Sequence, residues 1–227
     1  MNEAARILPR LVEETLQGLE YVIVDVETTG GSAAGGHRIT EIAALRVGAD
    51  GAVLDEWTTL VNPERPIPPF ITRLTNITWE MVRHAPRFAD VAADLARFID
   101  GRVFVAHNAS FDWHFISHEL VRTTGVAPAG RVLCTMRLAR KVVPEVSSRS
   151  LDALAYYFGI DNEARHRAYG DARVTARLFA HLMGRLAERE IESWVALEEL
   201  LGRRKPRRRR RGPATPTSMD PAEVPCQ

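Results

Sequence analysis

Val24-Asp25-Val26-Glu27-Thr28-Thr29-Gly30 puts two carboxylates at the end of an apolar run. Tyr21-Val22-Ile23-Val24 leads into it, and such a β-branched and aromatic run reads as a buried strand. Strand side chains alternate between faces, so Asp25 and Glu27 point the same way. Two anions side by side at the mouth of an apolar strand are costly unless a cation takes up their charge. Hard oxygen ligands at this spacing suit Mg2+ or Mn2+. Thr28-Thr29-Gly30 turns the chain away and is expected to offer backbone N–H groups and hydroxyls to a ligand. The plainer reading, a strand ending in a polar turn with its acids in water, loses ground as the flanking sequence is added.

Downstream, Ile39 to Val47 and Ala52 to Val61 are strand-like runs joined by Gly48-Ala49-Asp50-Gly51, a hairpin turn. Three consecutive antiparallel strands therefore open the fold. Asn62 to Pro69 is rigid and extended, and residues 70–83 read as short helical turns around Thr75-Asn76-Ile77-Thr78. Phe88 to Ile99 is an amphipathic helix stopped near Gly101. Two short apolar strands follow, Val103 to Ala106 and Val132 to Cys134, each running into a helix, to about Thr124 and Val142. Ser150 caps a helix from Leu151 to Phe158, with Gly159 as its stop. A long helix is predicted from about Gly170-Asp171 to Glu190, with residues 191–202 as a helical extension. Hairpins followed by strand–helix alternation mean a mixed sheet with helices on its faces, with sites at the carboxyl ends of strands. Upstream, Ala4, Ile7, Leu8, Leu11, Val12 and Leu16 predict an amphipathic helix within residues 1–19, packed on the main domain of residues 20–190.

The 227 residues suit one well-packed domain with short appendages. Cys134 and Cys226 cannot make a disulfide framework, so a cytoplasmic setting is expected. No apolar run approaches the ~18 residues of a membrane span. The net charge of +1 hides an asymmetry: residues 203–211 hold eight of the 30 basic groups, while residues 1–202 carry 22 basic and 27 acidic groups, a net of −5. The tail, residues 203–227, lacks apolar periodicity and is expected to be disordered, with its Arg run suited to nucleic acid or another polyanion.

A third acid, Asp112, stands at a helix start after His107-Asn108-Ala109-Ser110-Phe111. A fourth closes His166-Arg167-Ala168-Tyr169-Gly170-Asp171. Residues five apart in one helix point about 140° away from each other. A break at Gly170 would instead leave His166 on a loop and Asp171 in a helix's first turn, both facing one cleft. A loop histidine beside acids that hold a metal suits a general base. By contrast, His114 and His118 have zinc-compatible spacing without a third soft ligand and read as helix surface. Trp57, Trp79, Trp113 and Trp194, and Tyr156-Tyr157-Phe158, read as packing residues.

Asp25-Val26-Glu27-Thr28-Thr29-Gly30, His107 through Asp112, and His166 through Asp171, in that order, resemble the three motifs of the DEDD superfamily of 3′-to-5′ exonucleases. They are similar in particular to the DEDDh, DnaQ-like branch, which includes the proofreading epsilon subunit of bacterial DNA polymerase III. The resemblance spans roughly residues 20–188. A sister branch has Tyr four residues before the last acid; Arg167 stands there in this chain. Asn76 occupies a position where the family usually has Gly.

The resemblance implies an α/β, RNase H-like fold with a mixed five-stranded sheet and helices on both faces. It implies two divalent metal ions, Mg2+ or Mn2+, with Asp25 bridging both, Glu27 and Asp171 completing one site, and Asp112 holding the other. His166 would take the proton from the attacking water. Thr28, Thr29, Asn108 and Phe111 match positions that contact the terminal nucleotides. The implied partner is nucleic acid with a free 3′ end, single-stranded DNA in the first reading, with no membrane. A role beside a DNA polymerase or other replication protein stays open at this point. So do an RNA 3′-to-5′ exonuclease and a non-catalytic binding module.

Overall fold

The computed structural model describes residues 14–161 and 165–202. Its sheet is built from β1 (Tyr21–Thr28), β2 (Ile39–Val47), β3 (Val53–Leu60), β4 (Val103–Ala106) and β5 (Val132–Cys134), in the spatial order β3-β2-β1-β4-β5. The first three strands pair antiparallel through hairpins, and β4 and β5 join parallel to β1. β1 is therefore central and hydrogen-bonded on both sides, as its apolar run requires. The fold is the mixed five-stranded α/β sheet that the sequence implies.

The alternation of β1 sorts the helices. Val22, Val24 and Val26 face a core with Phe88 and Leu95 of α3 (Phe88–Ile99) and Phe115 and Ile116 of α4 (Ser110–Thr124). Tyr21 and Ile23 face the opposite core, made by α5 (Thr135–Val142), α6 (Leu151–Phe158), α7 (Ala168–Ala187) and α8 (Trp194–Leu201). Asp25 and Glu27 share the parity of Tyr21 and Ile23, so they emerge on the α7 side. Between β3 and α3 lie two short helices, α1 (Pro69–Thr75) and α2 (Trp79–Val82). Asn76 ends α1 in a left-handed conformation, φ 57°, which Asn tolerates better than most residues other than Gly.

Several expectations need correction. The long helix begins at Ala168, not near Gly170, and ends at Ala187. Its interruption is placed by His166, with φ 58°, and by the extended Arg167; Gly170 lies inside the helix. Most of the expected N-terminal helix lies outside the described residues. Its described end is a bridge from Thr15 to Ser193 and a 3-10 turn at Leu16–Gly18. The basic tail also lies outside the described residues. Tyr156 is 90% exposed and Tyr157 41%, because the eight-residue α6 turns only one narrow face, with Leu154 and Ala155, into the core. Trp79 of α2 is exposed as well, whereas Trp194 is buried. Among the described residues, no helix is long and apolar enough to cross a membrane.

Candidate active site

β1 extends past β4: Ile23 pairs with Val105, and β4 ends one residue later at Ala106. Asp25 and Glu27 thus lie where the neighbouring strand has already turned into α4. The register against β2 shifts between Glu27 and Thr28, an irregularity of the kind common beside functional sites. Asp171, in the first turn of α7, meets them from the same face. One carboxylate oxygen from each of Asp25, Glu27 and Asp171 lies within 4.8 Å of the others, and all three residues are half-buried. Asp112, in the first turn of α4, is buried, and its Oδ1 accepts the Val26 N–H at 3.1 Å.

This crowding has an electrostatic signature. Burial first, then the charges of Asp112, Glu27, Asp171 and Glu41, push the Asp25 carboxyl well above its ordinary range. Burial, then Asp171, Glu41 and Asp112, push Glu27 up to about 8, with Arg167 offsetting only part. Burial lifts Asp112 to about 7, against hydrogen bonds from its own N–H and that of Val26. Among the described residues, no hydrogen bond or ion pair to a cationic side chain is recorded for Asp25 or Glu27. An all-carboxylate donor set, pressed together and short of positive charge, fits a divalent metal ion.

The turn after β1 is tied to itself. Thr28 Oγ1 donates to the Gly30 carbonyl at 2.8 Å, and Thr29 Oγ1 accepts the Arg38 N–H at 3.0 Å. His37 Nδ1 lies 3.3 Å from Thr29 Oγ1, and a Cβ on Gly30 would meet that ring at 2.4 Å. Both threonine side chains are buried, so their hydroxyls serve the turn more directly than they face solvent. Asn108 is exposed with φ 68°, and Phe111 is half-buried with its ring 4.9 Å from that of Phe115. Asn108 and Phe111 line a cavity of about 630 Å³ together with Gly31, Ser32, His114 and His118.

His166 is half-buried on the turn before α7, and its backbone N–H donates to Asp171 Oδ2 at 3.2 Å. The structure also gives tasks to residues for which the motifs implied no role. Glu41 of β2, 4% exposed, sits across from Glu27 and binds Arg167. His107 bridges Thr135 Oγ1 and the Arg149 carbonyl, each at 2.9 Å, and so ties the β4–α4 turn to the loop before α6. Burial lowers its pKa. Glu119 of α4, 1% exposed, takes Arg38 and Arg122 and anchors the start of β2. A signal for Glu41 was present in the sequence, a lone acid in the otherwise uncharged run Ile39-Thr40-Glu41-Ile42-Ala43; Glu119, with His118, Val121 and Arg122 around it, gave none.

The site is thus three converging carboxylates at the end of the central strand of a mixed sheet, a donor set that fits a divalent metal ion. The exonuclease family model matches residues 22–179, and the chain belongs to that family. It is 40% identical over 190 residues to a DNA polymerase III subunit epsilon-like protein of Rhodobacter capsulatus, covering 82% of this chain and 27% of that one. It is 35% identical over 168 residues to the 3′-5′ exonuclease DinG of Bacillus subtilis, covering 74% and 18%. The chain thus spans under a third of the length of these relatives. Among solved structures it is similar to Exonuclease X in complex with 5′ overhanging duplex DNA, with a TM-score of 0.60 and 30% identity, covering 80% of this chain and 99% of that one.

Proposed function

We propose that residues 20–190 form the catalytic domain of a 3′-to-5′ DNA exonuclease that releases nucleoside monophosphates in proofreading or repair. The observation that carries this reading is the convergence of Asp25, Glu27 and Asp171 within 4.8 Å at the end of β1, with His166 on the adjoining turn. Two divalent cations, Mg2+ or Mn2+, are the proposed cofactors. Asp25, Glu27 and Asp171 would hold one, and Asp25 and Asp112 the other. When bound, such ions stabilise the negative charge that builds on the attacking and leaving oxygens. His166 accepts the proton of the attacking water as general base. Phe111 packs on the base or sugar of the terminal nucleotide without reading base edges. Asn108 orients that nucleotide, and the Thr28–Thr29 turn shapes the floor on which it rests. A polymerase or another replication protein is the proposed partner, on the strength of the epsilon-like relative.

The test is cleavage of end-labelled single-stranded DNA, a matched RNA and a circular DNA single strand, in Mg2+, Mn2+ or EDTA. Loss of single mononucleotides from linear DNA, dependent on metal, is expected. Cutting of the circle would overturn the end-dependent reading, and faster loss from RNA would reassign the substrate.

A further inference from the structure

Glu41 is a buried acid that faces another acid. It pairs across the β1–β2 ladder with Glu27, so both side chains leave the sheet on the same face. Like charges at directly opposite positions destabilise a sheet. Glu41 nevertheless stays out of the group of acids whose oxygens converge. Its carboxylate is fully engaged elsewhere. Oε1 accepts from Arg167 Nη2 at 2.6 Å and Nε at 3.2 Å, and Oε2 accepts from Arg167 Nε at 3.0 Å and from the Ala168 N–H at 2.9 Å. A planar guanidinium fork is matched to this two-oxygen geometry, and an ammonium is not.

Arg167 and Ala168 are the N-cap and first residue of α7, and the N-cap side chain makes no capping bond of its own. Glu41 therefore caps α7 from a neighbouring strand, and it holds the backbone immediately after His166. On the other side, the His166 N–H is held by Asp171 Oδ2. His166 sits between these two anchors at φ 58°, a region that costs a residue other than Gly roughly 1 kcal/mol or more unless its surroundings enforce it.

We propose that Glu41 and Arg167 are positioning residues: a buried ion pair that fixes the start of α7 and thereby sets His166 for its work as general base. The inference rests on the role proposed for His166. It gives Glu41 a task distinct from metal binding, and it explains why an arginine is needed at position 167.

The test uses Glu41→Gln and Arg167→Lys, alone and combined with His166→Ala, in the full chain, with oligonucleotide kinetics and melting in Mn2+. Glu41→Gln keeps an acceptor for the Ala168 N–H but loses the paired charge, and Arg167→Lys keeps the charge but loses the fork. Each is expected to lower kcat by about 10–100-fold, the usual effect of losing a partner that orients a site residue. KM should stay within about twofold, and Mn2+ should still raise the melting temperature. In the His166→Ala background neither should lower kcat further. Normal turnover in Arg167→Lys would overturn the proposal, because charge alone would then suffice. Additive losses on His166→Ala, or loss of the Mn2+ stabilisation in Glu41→Gln, would overturn it too, since Glu41 would then act apart from His166. If His166→Ala alone leaves turnover intact, the general-base role itself fails, and the positioning claim falls with it. Should Glu41→Gln not fold, the Arg167→Lys arm decides.

Discussion

Asp25 shows how a site residue can oppose the fold that presents it. Its carboxyl, with those of Glu27 and Asp112, is pushed up chiefly by burial. An acid whose folded pKa lies above its unfolded value binds more protons in the folded state over the interval between the two. Its stabilising effect is therefore fully present below about pH 4, the ordinary carboxylate range, and is lost as pH rises through the folded pKa values, about 7 for Asp112 and about 8 for Glu27. The metal-free protein should thus melt at progressively lower temperature from about pH 5 to pH 8. Bound Mn2+ should raise the melting temperature most at the upper end, because ions displace those protons. A metal-free melting curve that rises with pH across this interval would contradict the electrostatic account. Asp25→Asn removes one of these opposed charges, so it should abolish cleavage without lowering the metal-free melting temperature at pH 8. His166→Ala should reduce single-turnover rate by about 10²–10⁴-fold with the fold intact. A variant keeping more than about a tenth of the rate would remove His166 from the mechanism.

At the scale of elements, α7 joins sheet to site. It covers β1 and β2 on one face, delivers Asp171 from its first turn, and receives the β2–β3 hairpin along its middle. Gly51 of that hairpin has φ 77°, and a Cβ there would lie 2.7 Å from Ala180 Cβ and 2.8 Å from the Ala176 carbonyl oxygen. Gly51→Ala should therefore lower the free energy of unfolding by roughly 1–3 kcal/mol, from overpacking and an unfavourable left-handed φ together. Urea titration checks this, and an unchanged midpoint would mean the hairpin does not rest on α7 as described. The start of α7 also shows a limit of reading by residue type. Gly170 looked like the breaker, yet a glycine inside a helix is tolerated where a neighbouring element packs close, and Gly170 is buried. The break falls at His166 and Arg167 because Glu41, 126 residues from Arg167 along the chain, holds the helix start there.

For the whole molecule, charge divides sharply. Residues 1–202 carry a net of −5, while residues 203–211 hold eight cations, so long-range attraction for a polyanion depends on the tail. Each phosphate neutralised on a single strand contributes about −0.7 to the log–log salt slope. If about half of the eight cations engage, deleting residues 203–227 should flatten that slope by roughly 3 units. Turnover at saturating oligomer should change little, because Asp25, Glu27, Asp112, His166 and Asp171 all precede the deletion. Binding measured over a range of salt concentrations decides this, and parallel slopes for full-length and truncated chains would assign the Arg run to another task.

Sequence alone determined the strand order in the chain, the antiparallel start, most helix limits and the acids with chemical promise. These follow from local rules: period-two alternation puts Asp25 and Glu27 on one face, and Ser150 and Gly159 mark the ends of α6 by capping. Local propensity alone could not show which acids meet, although the family resemblance grouped Asp25, Glu27, Asp112 and Asp171. Asp112 and Asp171 are separated from β1 by long stretches of chain, and only the parallel addition of β4 and the packing of α7 bring them to its end. Nor could it separate Glu27, which joins the converging carboxylates, from Glu41, which faces it across the ladder and is claimed by Arg167. Both are acids in apolar strands, and their difference arises from a partner contributed by a distant helix terminus. Local propensity places a residue on a face. Only tertiary packing decides which charges share that face and which find a counter-ion.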